Sequence, residues 1–435
     1  MRKFLKKLHL WIGLIFCLPL ILMGLTGSIL IFERESEKFF TPKYSLQTVG
    51  EKHLASEIIE AASNALPKGF KPNMYKASQD NKPASVRFFS QDKKITEILV
   101  DPISLQILEE KNHSNNIFKT IEQLHTNLLL KDYGGRSIIG CFGIALLLLS
   151  LSGIIIWFPK AKSTSSILSS LSFRLPSLSL RKSSLPFPLS SLSFPRRRES
   201  SAAKKLDSRL RGNDKEGKRN DGEGKRNGKE GKRNDSISKN FKSGLFIQKG
   251  LRGYTFHKNL HKVVGFWSFI FLLIMSFSAI YLAFPKKING AISATFSARD
   301  FTKNITIENS EEKSLKNIDE LIEIAKNEMP NGNLLSIILS PKPTQPYKIN
   351  FFSSRTYQIG QPYATIFINQ FSSEILEARN PEKYQAAEKF ISWQKPLHTA
   401  QGLGAIWYIP IFFIGLLPAI FAITGCTMWL KKRRK

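Results

Sequence analysis

Of the seven histidines in this chain, five stand at the edges of long apolar runs: His9, His125, His257, His261 and His398. Their spacing recurs. Four positions separate His9 from Gly13 and His261 from Gly265; seventeen separate His9 from Thr26 and His261 from Ser278; twenty-three separate His9 from Phe32 and His261 from Phe284. His125 and His398 each lie in a Leu-His-Thr triplet, thirty-two positions before Trp157 and thirty-one before Trp429. Ionisable or polar groups at membrane depth are costly and usually functional. Neutral imidazole is a good axial ligand for haem iron, and four-helix bundles house such cofactors between facing helices. Two halves in the same register imply a pseudo-two-fold axis along the membrane normal. That axis brings His9 towards His261 and His125 towards His398. Two bis-histidine haem b sites, one near each membrane surface, are the chemistry this pattern points to. The plainer alternative is a set of interfacial histidines at headgroup depth. His257 lies one turn before His261 on the same helical face and can replace it as ligand. An i,i+4 pair also suits zinc, but no third ligand of the right spacing stands nearby. His53 and His113 fall in the polar segments, where solvent exposure is expected.

The elements that must position these rings are four runs, about 10–32, 138–158, 263–284 and 405–430, each reaching the roughly 20 residues a helix needs to cross a bilayer. Pro410 and Pro418 interrupt the last, which is tolerated where neighbouring helices re-satisfy the freed carbonyls. The first run follows Met1-Arg2-Lys3, as in a signal peptide, but its apolar part exceeds the usual ~7–15 residues and no small-x-small cleavage site follows. Net charge is +30 over 435 residues. Much of that charge sits at the termini and in one low-complexity block, which fits the positive-inside rule better than a nucleic-acid surface. Arg2, Lys3, Lys6, Lys7, the segment between runs two and three, and the tail Lys431–Lys435 all belong on the cytoplasmic side. Four crossings place them there together. Cys17, Cys141 and Cys426 fall inside the apolar runs and are expected as buried thiols, neither a disulfide framework nor a metal motif.

The two segments that this topology sends outside share an order of elements. In the first, Leu54–Leu66 has helical spacing and stops at Pro67 and Gly69. Strands are expected at Ser85–Phe89 and Thr96–Val100, then an Asp101-Pro102 turn and Leu105–Leu108. In the second, Ile318–Met329 reads as helix. Strands follow at Leu334–Leu339, Tyr347–Phe352 and Ala364–Ile368, and Ser373–Leu376 ends the set. One helix with a small antiparallel sheet makes a complete α+β module.

These motifs resemble the PepSY-associated transmembrane helix family of bacterial inner-membrane proteins. The resemblance rests on His9-Leu10-Trp11-Ile12-Gly13 with Leu25-Thr26-Gly27, and on Leu124-His125-Thr126 with Tyr133-Gly134-Gly135-Arg136 and Ser152-Gly153-x-x-x-Trp157. It continues in His257-x-x-x-His261, Leu397-His398-Thr399 and Thr424-Gly425-x-x-x-Trp429. Val100-Asp101-Pro102 is similar to the Asp-Pro-x-Thr-Gly turn of PepSY modules; Gln106 stands where Gly is common, and the second copy has Asn369-Gln370. The resemblance implies an α-helical membrane protein with four transmembrane helices in two parallel-topology repeats and two small α+β PepSY modules on the outer, periplasmic side. It also implies iron uptake, including haem-containing reductases of ferric siderophores.

The resulting division is 1–32, cytoplasmic start and first membrane helix; 33–136, first periplasmic module; 137–159, second helix; 160–255, basic cytoplasmic insertion; 256–284, third helix; 285–404, second module; 405–435, fourth helix and basic tail. The insertion carries Gly-Lys-Arg-Asn at 217, 224 and 231. It has no apolar heptad positions, so coiled coil is excluded and disorder is expected. No Gly-x-Gly-x-x-Gly opens a helix after a strand and no Walker loop is present, so any electron donor must be a separate quinol, flavoprotein or soluble reductant. Hydrolase motifs are absent as well. The reading that results is a haem-binding oxidoreductase passing electrons to a ferric chelate. Its rivals are a non-enzymatic scaffold whose outer modules bind a peptidase or other partner, and a permease without redox chemistry. A reporter fused after Lys435 should read as cytoplasmic and one placed near Asn81 as periplasmic; a cytoplasmic signal at Asn81 would overturn the four-crossing scheme.

Overall fold

The structure is a computed structural model that describes residues 1–40, 44–79, 82–90, 94–112, 117–158, 244–308, 314–353 and 361–434. His113 and most of the insertion expected over 160–255 lie outside these residues. The described chain belongs almost wholly to one unit formed by Met1–Trp157 and Gly244–Lys435.

The chain begins with α1 (Arg2–Phe40), continues through α2 (Ala55–Asn64) and four strands, β1 (Lys71–Lys76), β2 (Ala84–Phe89), β3 (Ile95–Val100) and β4 (Ile107–Asn112), then α3 (Ile117–Asn127) and α4 (Gly135–Trp157). The second half runs from α5 (Gly253–Ala283) and α6 (Pro285–Phe296) through α7 (Ile318–Asn327) and the strands β5 (Gly332–Ile338), β6 (Tyr347–Ser353), β7 (Ala364–Ile368) and β8 (Ile375–Arg379). It closes with α8 (Ala386–Ser392), α9 (Gln394–His398) and α10 (Ala405–Arg433).

Among the described residues four helices, α1, α4, α5 and α10, are long and apolar enough to cross a bilayer. They form a ring in which α1 packs on α4 and α10, and α5 packs on the same two. In lipid there is no hydrophobic force between helices, so close packing of small residues must hold them. At the α1–α10 contact Gly24 lies against the Gly415 backbone, so a Cβ on Gly24 would collide with the Gly415 carbonyl oxygen. The Ser28 hydroxyl there donates to the Phe412 carbonyl at 2.8 Å. Two arginines tie helix ends together. Arg2 donates to the Ile156 carbonyl at 2.7 Å, and Arg136 donates through Nε to the Leu282 carbonyl at 3.0 Å. Cationic side chains on C-terminal carbonyls satisfy groups the helix cannot. The cysteines are not buried: Cys17 and Cys426 are partly exposed and Cys141 is exposed. A thiol is apolar enough to face lipid, which is why position within an apolar run did not imply burial.

The two expected modules are joined into one. The eight strands form a single antiparallel sheet in the order β4-β3-β2-β1-β5-β6-β7-β8. The junction pairs Met74, Tyr75 and Lys76 of β1 with Ile338, Ile337 and Ser336 of β5. Each four-stranded meander would otherwise expose an edge of unpaired backbone groups, and the pairing removes both. β1 (Lys-Pro-Asn-Met-Tyr-Lys) was not expected, because its residues are poor strand formers; partners on both sides override propensity. α2 and α7 cover one face, and the Ser56 backbone N–H donates to Asp319 Oδ1 at 3.3 Å where the helices meet. A shared core from both halves, with Phe88, Ile98, Ile337, Ile349, Phe351 and Ile366 fully buried, lies between helices and sheet. Burial of each such side chain stabilises by about 1.5–3 kcal/mol.

Corresponding turns follow β3 and β7. Asp101 accepts the N–H groups of Gln47 at 2.8 Å, Ile103 at 2.9 Å and Ser104 at 3.3 Å. Burial pushes its carboxyl up, but these three donors outweigh it and the pKa is lowered. Asn369 takes the same place after β7, accepting Phe371 N–H at 2.9 Å and Ser372 N–H at 3.3 Å. The left-handed residue of the first turn is Leu105, φ 57°, not Gln106, and its counterpart is Ser373, φ 61°. Counting from Asp101, Leu105 is the glycine position of the Asp-Pro-x-Thr-Gly pattern.

Trp157 Nε1 donates to the Gly244 carbonyl at 3.3 Å, so the chain leaves α4 and returns towards α5 at one place. α5 begins at Gly253, and Asn259 accepts the Gln248 N–H at 3.0 Å. Gly244, Leu245, Phe246 and Gln248 are thus hydrogen-bonded through their backbone at the entry to α5. Deleting 163–238 should leave membrane insertion and folded yield unchanged; loss of stable protein would show that the deleted stretch holds a folded element. Ser373→Gly should raise the unfolding free energy by about 1 kcal/mol in thermal or denaturant melts, since it relieves a left-handed conformation; Ser373 also has a buried hydroxyl without a partner among the described residues.

Candidate functional site

The ring of helices sets four histidines into two pairs. His9 on α1 and His261 on α5 stand with ring centres 6.2 Å apart and planes at 79°. His125 on α3 and His398 on α9 stand 6.1 Å apart with planes at 42°. α3 and α9 are short helices, neither anticipated, that carry their histidines against the spanning helices: α3 packs on α1 and α4, α9 on α5. Seventeen residues separate His9 from Thr26, and at 1.5 Å rise per residue the two pairs lie at levels about 25 Å apart along α1. One pair is at the end of the bundle that bears the sheet. The other is at the end where the chain starts and finishes.

Each ring is held through Nδ1 by a hydroxyl from another helix. His9 Nδ1 lies 2.8 Å from Ser152 Oγ of α4, and His261 Nδ1 lies 2.8 Å from Thr424 Oγ1 of α10. His125 Nδ1 lies 2.9 Å from Thr26 Oγ1 of α1, and His398 Nδ1 lies 3.0 Å from Ser278 Oγ of α5. All four hydroxyl-bearing residues are buried. Glycines next to them admit the rings. A Cβ on Gly27 would stand 3.1 Å from His125 Cε1, and one on Gly153 would stand 3.3 Å from His9 Cε1.

The other two described histidines stand apart. His257 touches the ring of Phe256, at 5.6 Å between centres, and its buried Nδ1 has no hydrogen-bond partner among the described residues. His261 faces His9 instead. His53 is partly exposed and its Nδ1 lies 2.7 Å from Glu57 Oε2 at the start of α2. Among the described residues no three His, Cys, Asp or Glu side chains stand together as a metal-binding group. Neither imidazole pair has a third such side chain beside it among the described residues.

Sequence reasoning missed the roles of Thr26, Ser152, Ser278 and Thr424. The signal was present: a hydroxyl residue recurs seventeen positions after His9 and His261, and twenty-seven and twenty-six after His125 and His398, followed by Gly in three cases. What it lacked was the third dimension, since each hydroxyl serves a histidine on a different helix.

Fold and site together define a multi-pass membrane protein that carries paired imidazoles within a four-helix bundle topped by an antiparallel sheet. The chain belongs to the PepSY-associated TM region family, whose profile it matches over residues 6–432. No curated protein matches the chain.

Proposed function

We propose that this chain is a di-haem oxidoreductase of the bacterial inner membrane that delivers electrons to a ferric chelate, such as a ferric siderophore, on the periplasmic side. In this reading the halves are parallel repeats, each half of the sheet is a PepSY module facing the periplasm, and both termini are cytoplasmic. The observation that carries it is the spacing of the imidazole pairs. A metal lies ~2 Å from an imidazole nitrogen, itself about 1 Å from its ring centre, so two imidazoles that would share one iron need ring centres about 6 Å apart. The pairs stand at 6.2 and 6.1 Å. Two histidines would suffice to hold haem, and among the described residues no third His, Cys, Asp or Glu joins either pair. Gly13 and Gly265 stand one turn from His9 and His261 on the same helical faces, and a Cβ at either would make ordinary contacts, 3.7 Å from Leu149 and 3.8 Å from Phe421.

Haem held at these positions supplies one-electron transfer. The residues do the rest. His9 and His261 would hold one group near the cytoplasmic surface, and His125 and His398 the other near the sheet. The hydroxyls of Ser152, Thr424, Thr26 and Ser278 orient the rings. The apolar helix faces keep water from them. The substrate gains one electron per iron, and ferrous iron is held less strongly than ferric by hard oxygen ligands, which favours its release. A separate quinol or flavoprotein would supply the electron.

Visible spectra of the purified chain test this. A Soret band is expected. His125→Ala and His398→Ala should each remove the same haem, and the double variant should lose little more, because the two act as one unit. His9→Ala and His261→Ala should each remove the other. His257→Ala should leave both. A colourless protein, or histidine variants without spectral effect, would overturn the reading in favour of a scaffold that binds a periplasmic partner.

A further inference from the structure

We propose that Thr26, Ser152, Ser278 and Thr424 are positioning residues that fix each histidine as the tautomer protonated on Nδ1, leaving Nε2 as the ligating nitrogen. The inference rests on the di-haem reading and adds a role for residues that touch no cofactor.

A hydroxyl has one proton to donate and two lone pairs to accept with. In all four residues the proton has a partner within its own helix. Thr26 Oγ1 donates to the Leu22 carbonyl at 2.7 Å, Ser152 Oγ to Leu148 at 2.5 Å, Ser278 Oγ to Met275 at 3.1 Å and Thr424 Oγ1 to Ile420 at 2.8 Å. The oxygen facing the imidazole can then only accept, so Nδ1 must carry the proton. A neutral imidazole has one N–H. Its lone pair is therefore on Nε2. Turning the hydroxyl towards Nδ1 would give up its bond to the helix carbonyl, and the opposite tautomer without that turn would set two lone pairs facing each other.

Other buried serines make the bond to their own helix as well: Ser150 donates to Leu146 and Ser268 to Val264, each a carbonyl four residues back. That bond alone is common in apolar helices and slightly weakens them. What sets the four apart is the second contact, to a histidine of another helix. The assignments cross between the levels. α1 carries His9 at one level and the hydroxyl for His125 at the other; α5 carries His261 and the hydroxyl for His398. Each hydroxyl nevertheless acts only on the level where it lies, so its removal should be felt at one site and not at the other.

Outer partners of a metal-bound imidazole commonly change affinity 10–100-fold when removed. The experiment uses the full chain with haem titrated into the stripped protein, followed by absorption, and redox titration of the loaded protein. Thr26→Val keeps the shape and removes the hydroxyl. It should weaken haem binding at the His125/His398 site 10–100-fold and move that site's midpoint potential, with the His9/His261 site as in the parent. Thr26→Ser should restore both. Ser278→Ala, which only removes an atom, should repeat the loss if Thr26→Val fails to fold. Thr424→Val and Ser152→Ala should give the complementary pattern. If these variants keep parental affinity and potential at both sites while the histidine variants lose haem, the positioning role is wrong and the di-haem reading stands. If the chain takes up no haem, both fall.

Discussion

An imidazole set among spanning helices must find its hydrogen-bond partners in the protein, because hydrocarbon offers none. All four paired histidines meet this demand in one way, through a hydroxyl on a different helix. A bond of that length fixes how near two helices must come. The approach in turn fixes small residues along the seam, such as Gly27 beneath His125 and Gly153 beneath His9. Helix spacing, ring orientation and the glycine pattern are therefore one requirement expressed three times.

Each pair takes one ring from each half, so the halves must be held together. Lipid gives no hydrophobic force to do it. The part of the chain outside the bundle supplies that force, since there water is the reference state and burying Phe88, Phe351 and Ile337 in one shared core is favourable. Pairing of β1 with β5 makes the two meanders one sheet, and α2 meets α7 over it. At the bundle itself, Arg2 ties the start of α1 to the end of α4, and Arg136 ties the start of α4 to the end of α5. The sheet is thus a clamp as well as a platform.

Much of this was legible because it is written in one dimension. The four apolar runs and the ruler from His9 and His261 need only counting, and β6 and β7 announce themselves by β-branched and aromatic residues. α3 and α9 were hidden because they are short and amphipathic, with neither the length nor the caps that mark longer helices. β1 was hidden because Pro72 and Asn73 argue against a strand that only its two neighbours impose. Joining of the modules, and the service that Thr26 renders to His125, are relations between distant segments. Local pattern cannot show them. The turn after β3 was misread by one residue since a left-handed conformation is a property of the backbone, and Leu105 adopts it without the glycine that would have advertised it.

The correspondence of the halves is close but incomplete, and the departures fall at the sites. Gly27 has Ala279 as its counterpart. On α1 the missing methyl makes room for the His125 ring; on α5 the methyl of Ala279 is met by Gly143 of α4, where an added Cβ would stand 3.4 Å away. Each pair also mixes one threonine with one serine as its hydroxyl partners. The ring planes differ as well, near perpendicular between His9 and His261 and tilted by 42° between His125 and His398. The departures in the hydroxyls therefore fall between the halves and within each pair: His9 meets a serine where His261 meets a threonine, and His125 meets a threonine where His398 meets a serine.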